Sequence, residues 1–385
     1  MKKFVSILLT IALITPTAQS FAATPKAGAA CKKLNEVQIV KNVKFTCIKS
    51  GKKLIWDFTI EKTKPVTFVP SPAPTSFDDL YEKRAGISYA AWFKTTQIMK
   101  NSTAREAELE IYTGPNTKPW QNDVAAVQRM TTRAFPNMAI PSKVIYFRYS
   151  FEDMKWADDL IKTKISEKDY NWFQGNEGNR LVESNCGHIP NDCDGAKELT
   201  TLGGVAVILQ GVPKNPGRFE DPVLTEHVTT GMAEAHEYFH SFQRIPMLNK
   251  SLEANDWPPP WIREGGAQWV GTVVAYPNEY EKFLKYRNTI CNQECRVYSD
   301  PKEALTYITK TDSWSNGWQD YSFGFRLIEI LVAIKGPESI IELYNQSSTK
   351  IGWAAAFKNV YGIEWSKAAP IIAQTVSAIL KEENA

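Results

Sequence analysis

His236-Glu237-Tyr238-Phe239-His240 sets two imidazoles four residues apart around a glutamate. On a helix, side chains at that spacing stand one turn above each other, so both rings can address one cation. With His236 at the origin of a helical projection, His240 falls at about 40° and Glu237 at about 100°. Met232, Ala235 and Phe239 fall on the other side, at roughly 260–320°, so the imidazoles border an apolar stripe that Glu237 flanks. A carboxylate so placed can reach a water activated by the cation without being a ligand, which is the working arrangement of H-E-x-x-H hydrolytic sites. The chain has four histidines in all, so two of them in this register with a glutamate is an informative coincidence.

Two imidazoles under-hold a hydrolytic Zn²⁺, which takes three protein ligands and keeps one position open. Glu264, in the string Trp261-Ile262-Arg263-Glu264-Gly265-Gly266-Ala267-Gln268-Trp269, is the expected third ligand. It follows His240 by 24 residues, enough chain to leave one helix and return along a second. Pro258, Pro259 and Pro260 force the turn between them, and a fresh helix is expected near Trp261. Gly265, Gly266 and Ala267 would let the two helices pack closely. His188 and His227 are alternative donors, His227 being read as a surface or hydrogen-bonding residue in the loop before the first helix. Cys186, His188 and Cys193 form a rival metal set, disfavoured because no fourth ligand is evident.

The elements that must hold this constellation come after an export signal. Lys2 and Lys3 precede an apolar run from Phe4 to Ile14, too short to span a bilayer, and small residues follow at Ser20 and Ala22. Residues 1–22 are therefore expected to be a signal peptide and the mature chain to be secreted, with no transmembrane segment left. That compartment permits disulfides, and the six cysteines fall into three local pairs, Cys31–Cys47, Cys186–Cys193 and Cys291–Cys295, among 15 possible connectivities.

Residues 23–64 hold ten lysines against three acidic residues and alternate apolar with polar side chains, which predicts two or three short strands pinned by Cys31–Cys47. Such density of positive charge suits an anionic cell-envelope polymer as partner, or simply a solubilising cap. The formal net charge of the whole chain is only +3, which makes no case for nucleic acid. Prolines at 65, 70, 72 and 74 make residues 65–76 a semi-rigid spacer, leaving 77–385 as the main domain. There, 76–100, 121–135 and a stretch after Ser150 read as helices, while 109–113, 143–149 and 203–211 read as strands. Residues 171–200 read as a long loop, and the chain beyond Thr229 as helical with breaks at Pro246, Pro258–Pro260 and 311–318. A small mixed sheet followed by a helical half predicts an α+β domain in two lobes.

H-E-x-x-H followed by W-x-x-E-G-x-A-x-W resembles the gluzincins, the thermolysin-like zinc metallopeptidases, and the E-G-x-A string is similar to the wider group that includes the M1 aminopeptidases. Tyr321-Ser322-Phe323-Gly324-Phe325-Arg326-Leu327 resembles that group's Y-x-x-G-x-x-F/L helix. The resemblance covers about residues 140–345, with a longer gap before Glu264 than those relatives use. It implies a two-lobed zincin-like fold and a peptide or protein substrate. It also implies Zn²⁺ on His236, His240 and Glu264, with Glu237 and Tyr321 catalytic, Tyr321 donating to the oxyanion. In that fold, 203–211 would be the edge strand against which an extended substrate pairs. No G-x-M-E-N segment is present to capture a free amino terminus, so an endopeptidase is expected before an aminopeptidase. A zinc hydrolase of a non-peptide bond and a degenerate zincin-fold envelope-binding protein are the alternatives.

Overall fold

A computed structural model of the chain describes residues 25–26, 28–40, 43–51, 53–59, 70–120, 123–187, 190–215, 222–291, 295–310 and 317–384. The expected signal peptide, residues 65–69 of the spacer, and His188 lie outside the described residues. Two compact units divide the chain, Met1–Val69 and Pro70–Ala385, with the division falling inside the expected spacer.

In the first unit, β1 (Val37–Val40), β2 (Val43–Ser50) and β3 (Lys53–Thr59) form an antiparallel meander. Cys47 of β2 lies directly opposite Trp56 of β3, and with Pro25 these are the unit's buried residues among those described. So small a core does not hold a fold alone, and the Cys31–Cys47 disulfide supplies the missing constraint. Lys26, Lys32, Lys33, Lys49 and Lys53 are exposed, as a solvated basic surface requires.

The second unit is α+β. It runs α1 (Ile87–Asn101), β4 (Glu108–Thr113), α2 (Val124–Ala134), β5 (Lys143–Tyr149), α3 (Met154–Lys164), α4 (Glu167–Asn176), β6 (Ala196–Thr200) and β7 (Val205–Gly211). Then come α5 (Pro222–Thr229), α6 (Met232–Arg244), α7 (Pro260–Ala275), α8 (Tyr280–Ile290), α9 (Pro301–Thr309), α10 (Gln319–Lys335), α11 (Glu338–Ser347), α12 (Trp353–Tyr361) and α13 (Trp365–Glu383). The strands make one mixed sheet in the order β4-β5-β7-β6, parallel except for β6, which runs antiparallel to β7.

Alternate residues of β5 and β7 feed two cores, as the two-residue period of a strand dictates. Val144, Tyr146, Ala206 and Ile208 join the large core shared with α1, α2, α6, α7 and α10. Ile145, Phe147, Tyr149, Val207 and Leu209 pack on the other face against α3 and α4. Each large apolar side chain so buried contributes about 1.5–3 kcal/mol.

Two expectations are corrected here. The 203–211 segment is not an edge: β7 lies between β5 and β6, which its unbroken apolar run, buried on both faces, required. The edges are β4 and β6, and β6 lies inside the stretch expected to be a loop. That stretch also holds the end of α4 and a turn pinned by Cys186–Cys193. Lys197 and Glu198 had disguised β6 as polar loop, although charged residues are what an edge strand carries.

α6 starts after Gly231, whose φ of +87° is a left-handed conformation natural to glycine. α7 starts on Pro260, whose ring presets a helical φ and whose missing N–H is not needed there. All of α7 but Arg263 and Ala275 is buried, because it lies between α6 and α10. The small residues behind Glu264 divide their work between these neighbours. Gly266 faces Phe239 and Gln243 of α6, whereas Gly265 meets Gly324 of α10, where an added Cβ would come within 2.3 Å of backbone. Gly265→Ala should therefore lower stability by about 1–3 kcal/mol, the usual cost of overpacking, seen as a shifted urea midpoint at unchanged slope. An unshifted midpoint would mean the α7–α10 contact is looser than drawn.

Candidate metal centre

α6 presents His236 and His240 from adjacent turns, and α7 brings Glu264 against them. His240 Nε2 lies 3.2 Å from His236 Nε2, and Glu264 Oε2 lies 3.3 Å from the His240 nitrogen and 3.6 Å from that of His236. These three residues form a cluster able to hold a metal ion. A tetrahedral ion with bonds of 2.0–2.1 Å has edges of about 3.3 Å, so the three donor atoms already stand at ligand spacing.

The remaining contacts hold the donors in that attitude. Glu264 divides its oxygens, Oε1 accepting from Arg263 Nε at 2.7 Å while Oε2 faces the imidazoles. Burial alone would raise the Glu264 carboxyl, but His240, His236 and Arg263 outweigh it and hold the group well below the usual range. His240 Nδ1 contacts Gln243 Oε1 at 2.8 Å, and Gln243 Nε2 donates to the Arg263 carbonyl at 3.0 Å. That second bond fixes which way the amide points. Nδ1 therefore donates to Gln243, which turns Nε2 toward Glu264 and His236, where a bound cation would take the place of its proton. Burial depresses His240, yet the charges and hydrogen bonds of Glu264, Glu237 and Gln243 prevail and bring it up to about 8. The carboxylates beside His240 thus favour positive charge at its ring.

Gln243 was not singled out from sequence, though its position three residues after His240 on one helix was a usable sign. Gln243→Leu keeps the packing volume and removes the tether, so affinity for Zn²⁺ should fall about 10–100-fold in a competitive chelator titration. Unchanged affinity would reduce Gln243 to a helix-packing residue.

Glu237 is buried, 5% exposed, and borders the same cavity; burial raises its carboxyl above the ordinary value. Tyr321, from the first turn of α10, stacks on the His236 ring at 5.6 Å and 11°, with Trp318 stacked behind it at 5.1 Å. Burial, then the charges of Glu264 and Glu237, push its phenol far above the ordinary range, so it stays a proton donor at every working pH.

His227 is corrected. It sits in α5 rather than a loop, its ring edge-on to His236 at 5.8 Å. It stays outside the three-residue donor cluster, and burial, helped by the His236 charge, lowers it to about 3 and keeps it neutral. The rival thiolate set is likewise excluded, because Cys186 and Cys193 are joined in a disulfide. Cys31–Cys47 and Cys291–Cys295 pair as expected.

The donors open onto a cavity of about 590 Å³ in which Glu237, Tyr321, Arg244 and Arg263 meet residues of α4 and the whole of β6. Glu198 of β6, unforeseen from sequence, is 5% exposed in its wall; its Oε1 accepts from Thr200 and its Oε2 has no partner among the described residues. Burial pushes this carboxyl up to about 7. No helix among the described residues is long and apolar enough to cross a membrane. Comparison of the chain with known protein families, with curated proteins and with solved structures returns no match.

Proposed function

We propose that this chain is a secreted zinc-dependent peptidase of gluzincin type, with a two-lobed zincin-like catalytic domain. The observation that carries the reading is the cluster of three donors at tetrahedral spacing, open on one side to a cavity that also holds Glu237 and Tyr321. His236, His240 and Glu264 would hold the ion. When bound, zinc supplies Lewis-acid polarisation and lowers the pKa of water toward about 7. Glu237 accepts the proton of the attacking water and returns it to the leaving amine, a task its burial and raised basicity suit. Tyr321, held by its two stacked neighbours, donates to the oxyanion as charge develops.

A peptide is favoured over other acyl substrates by β6. Its inner edge is bonded to β7, and its residues Ala196–Thr200 border the cavity, so an extended chain can add to its outer edge. The absence of G-x-M-E-N supports cleavage within chains. Glu198 favours a second reading, cleavage near a free amino end, because a carboxyl in the cavity wall without an ion-pair partner suits an ammonium.

Incubation of the zinc-loaded chain with casein and with matched free and N-acetylated peptides tests both. Products are expected in zinc and none after chelation, with activity restored by added Zn²⁺. Equal turnover of the acetylated series supports endopeptidase action, and a preference for free amines supports the second reading. Absence of peptide products under all conditions overturns the proposal.

A further inference from the structure

Arg244 is the last residue of α6, one turn beyond His240, and it borders the metal-site cavity. Its helical position places it on the same side as the two imidazoles, about 6 Å further along the axis. A cation in the last turn suits the helix dipole, but that need is met equally by a side chain turned to solvent. This one is half-buried in the cavity wall.

The charges around it leave the guanidinium unspent. Arg263, the other arginine of the cavity, is engaged by Glu264, and Lys197 is paired with Glu177. Arg244 forms no ion pair or side-chain hydrogen bond with any described residue. Its charge is felt by Glu198 on β6 and by the Tyr344 phenol on α11, both of which line the same cavity. Glu198 directs one oxygen to Thr200 and leaves the other unpartnered, so it does not close on Arg244. A planar fork of donors facing a cavity, with no carboxylate upon it, is a receptor for a carboxylate from outside.

We infer that Arg244 is a specificity-determining residue that receives a substrate carboxylate close to the scissile bond, either an Asp or Glu side chain or the free carboxyl terminus of a short peptide. The inference rests on the peptidase reading for the words "scissile bond" only; the carboxylate subsite itself is a binding claim.

The experiment therefore measures binding and cleavage separately. Blocked peptide pairs differing only as Glu versus Gln, and pairs differing only as free versus amidated carboxyl terminus, are titrated onto the zinc-loaded Glu237→Gln chain by fluorescence anisotropy. The same pairs are followed for kcat/KM with the parent. The carboxylate member should be favoured by about tenfold to a hundredfold, the range for one charge-assisted hydrogen-bonded contact. The difference should lie mainly in KM, and the responding pair identifies the source of the carboxylate. Arg244→Gln should bring the ratio near one, Arg244→Glu should invert it toward Lys-containing peptides, and Arg244→Lys should restore part of it.

Discrimination in binding without cleavage of any peptide would sustain the subsite and remove the peptidase reading. Cleavage with a ratio near one in the parent, or a ratio that survives Arg244→Gln and Arg244→Glu, would overturn the subsite and leave the peptidase reading intact. No binding of either member of any pair overturns it as well.

Discussion

Glu237→Gln should reduce kcat for peptide hydrolysis by roughly 10²–10⁴-fold while the chain keeps one zinc and KM changes little. The reason is local. Glu237 shares α6 with both histidines but is absent from the donor cluster, so neutralising it leaves the three candidate donors intact. Glutamine has nearly the same shape, so the buried wall of the cavity is preserved. What is lost is the one oxygen able to take a proton at that point. A variant that cleaves casein as fast as the parent would remove Glu237 from the chemistry. A variant that also loses zinc would show instead that its charge is needed to hold the ion.

Glu264→Ala is expected to act on the other half of the machinery. Second-sphere changes already cost about 10–100-fold in metal affinity, so loss of a direct carboxylate donor should exceed a hundredfold. Native mass spectrometry should find one zinc per parent chain and none per variant chain, with no peptide products. The Arg263 guanidinium loses its carboxylate in this variant, so Glu264→Gln, which keeps the volume and a hydrogen-bond acceptor, separates metal loss from misfolding. Retention of a full equivalent of zinc by both variants would sink the three-donor centre.

Glu237→Gln and Glu264→Ala together distinguish a peptidase from a binding protein built on the same donors. The former predicts a chain that holds metal without turnover, the latter a chain without either. A degenerate envelope-binding protein would have no use for Glu237, and its loss would be silent in every binding assay.

Most of this candidate centre is legible in the sequence. His236, His240 and Glu237 are bound by the geometry of a single helix, so the period of 3.6 residues determines their relation wherever that helix lies. The start of α7 was legible at Pro258–Pro260, because proline restricts the backbone locally. The three disulfides were legible for the same reason: each closes a short loop, and nearness in sequence limits the choices. The unbroken apolar run of β7 also carries the sign of an interior strand, against the edge position that the resemblance implies.

What no local rule could supply is which non-neighbouring segments face each other. Gly265 serves α10 and only Gly266 serves α6, because the choice depends on which helices flank α7. Gln243 becomes a tether only once the Arg263 carbonyl stands beside it, and His227 becomes a half-buried ring against His236 only once α5 lies on α6. Glu198 and Arg244 look like surface charges in the linear chain, and both acquire their significance by bordering one cavity from different elements. Sequence thus determined the donor set, whose members are related by helical spacing and one return of the chain. Packing decided the cavity wall and its unspent charges, since long-range apposition is set by how whole elements bury their apolar faces rather than by the residues that end up opposite.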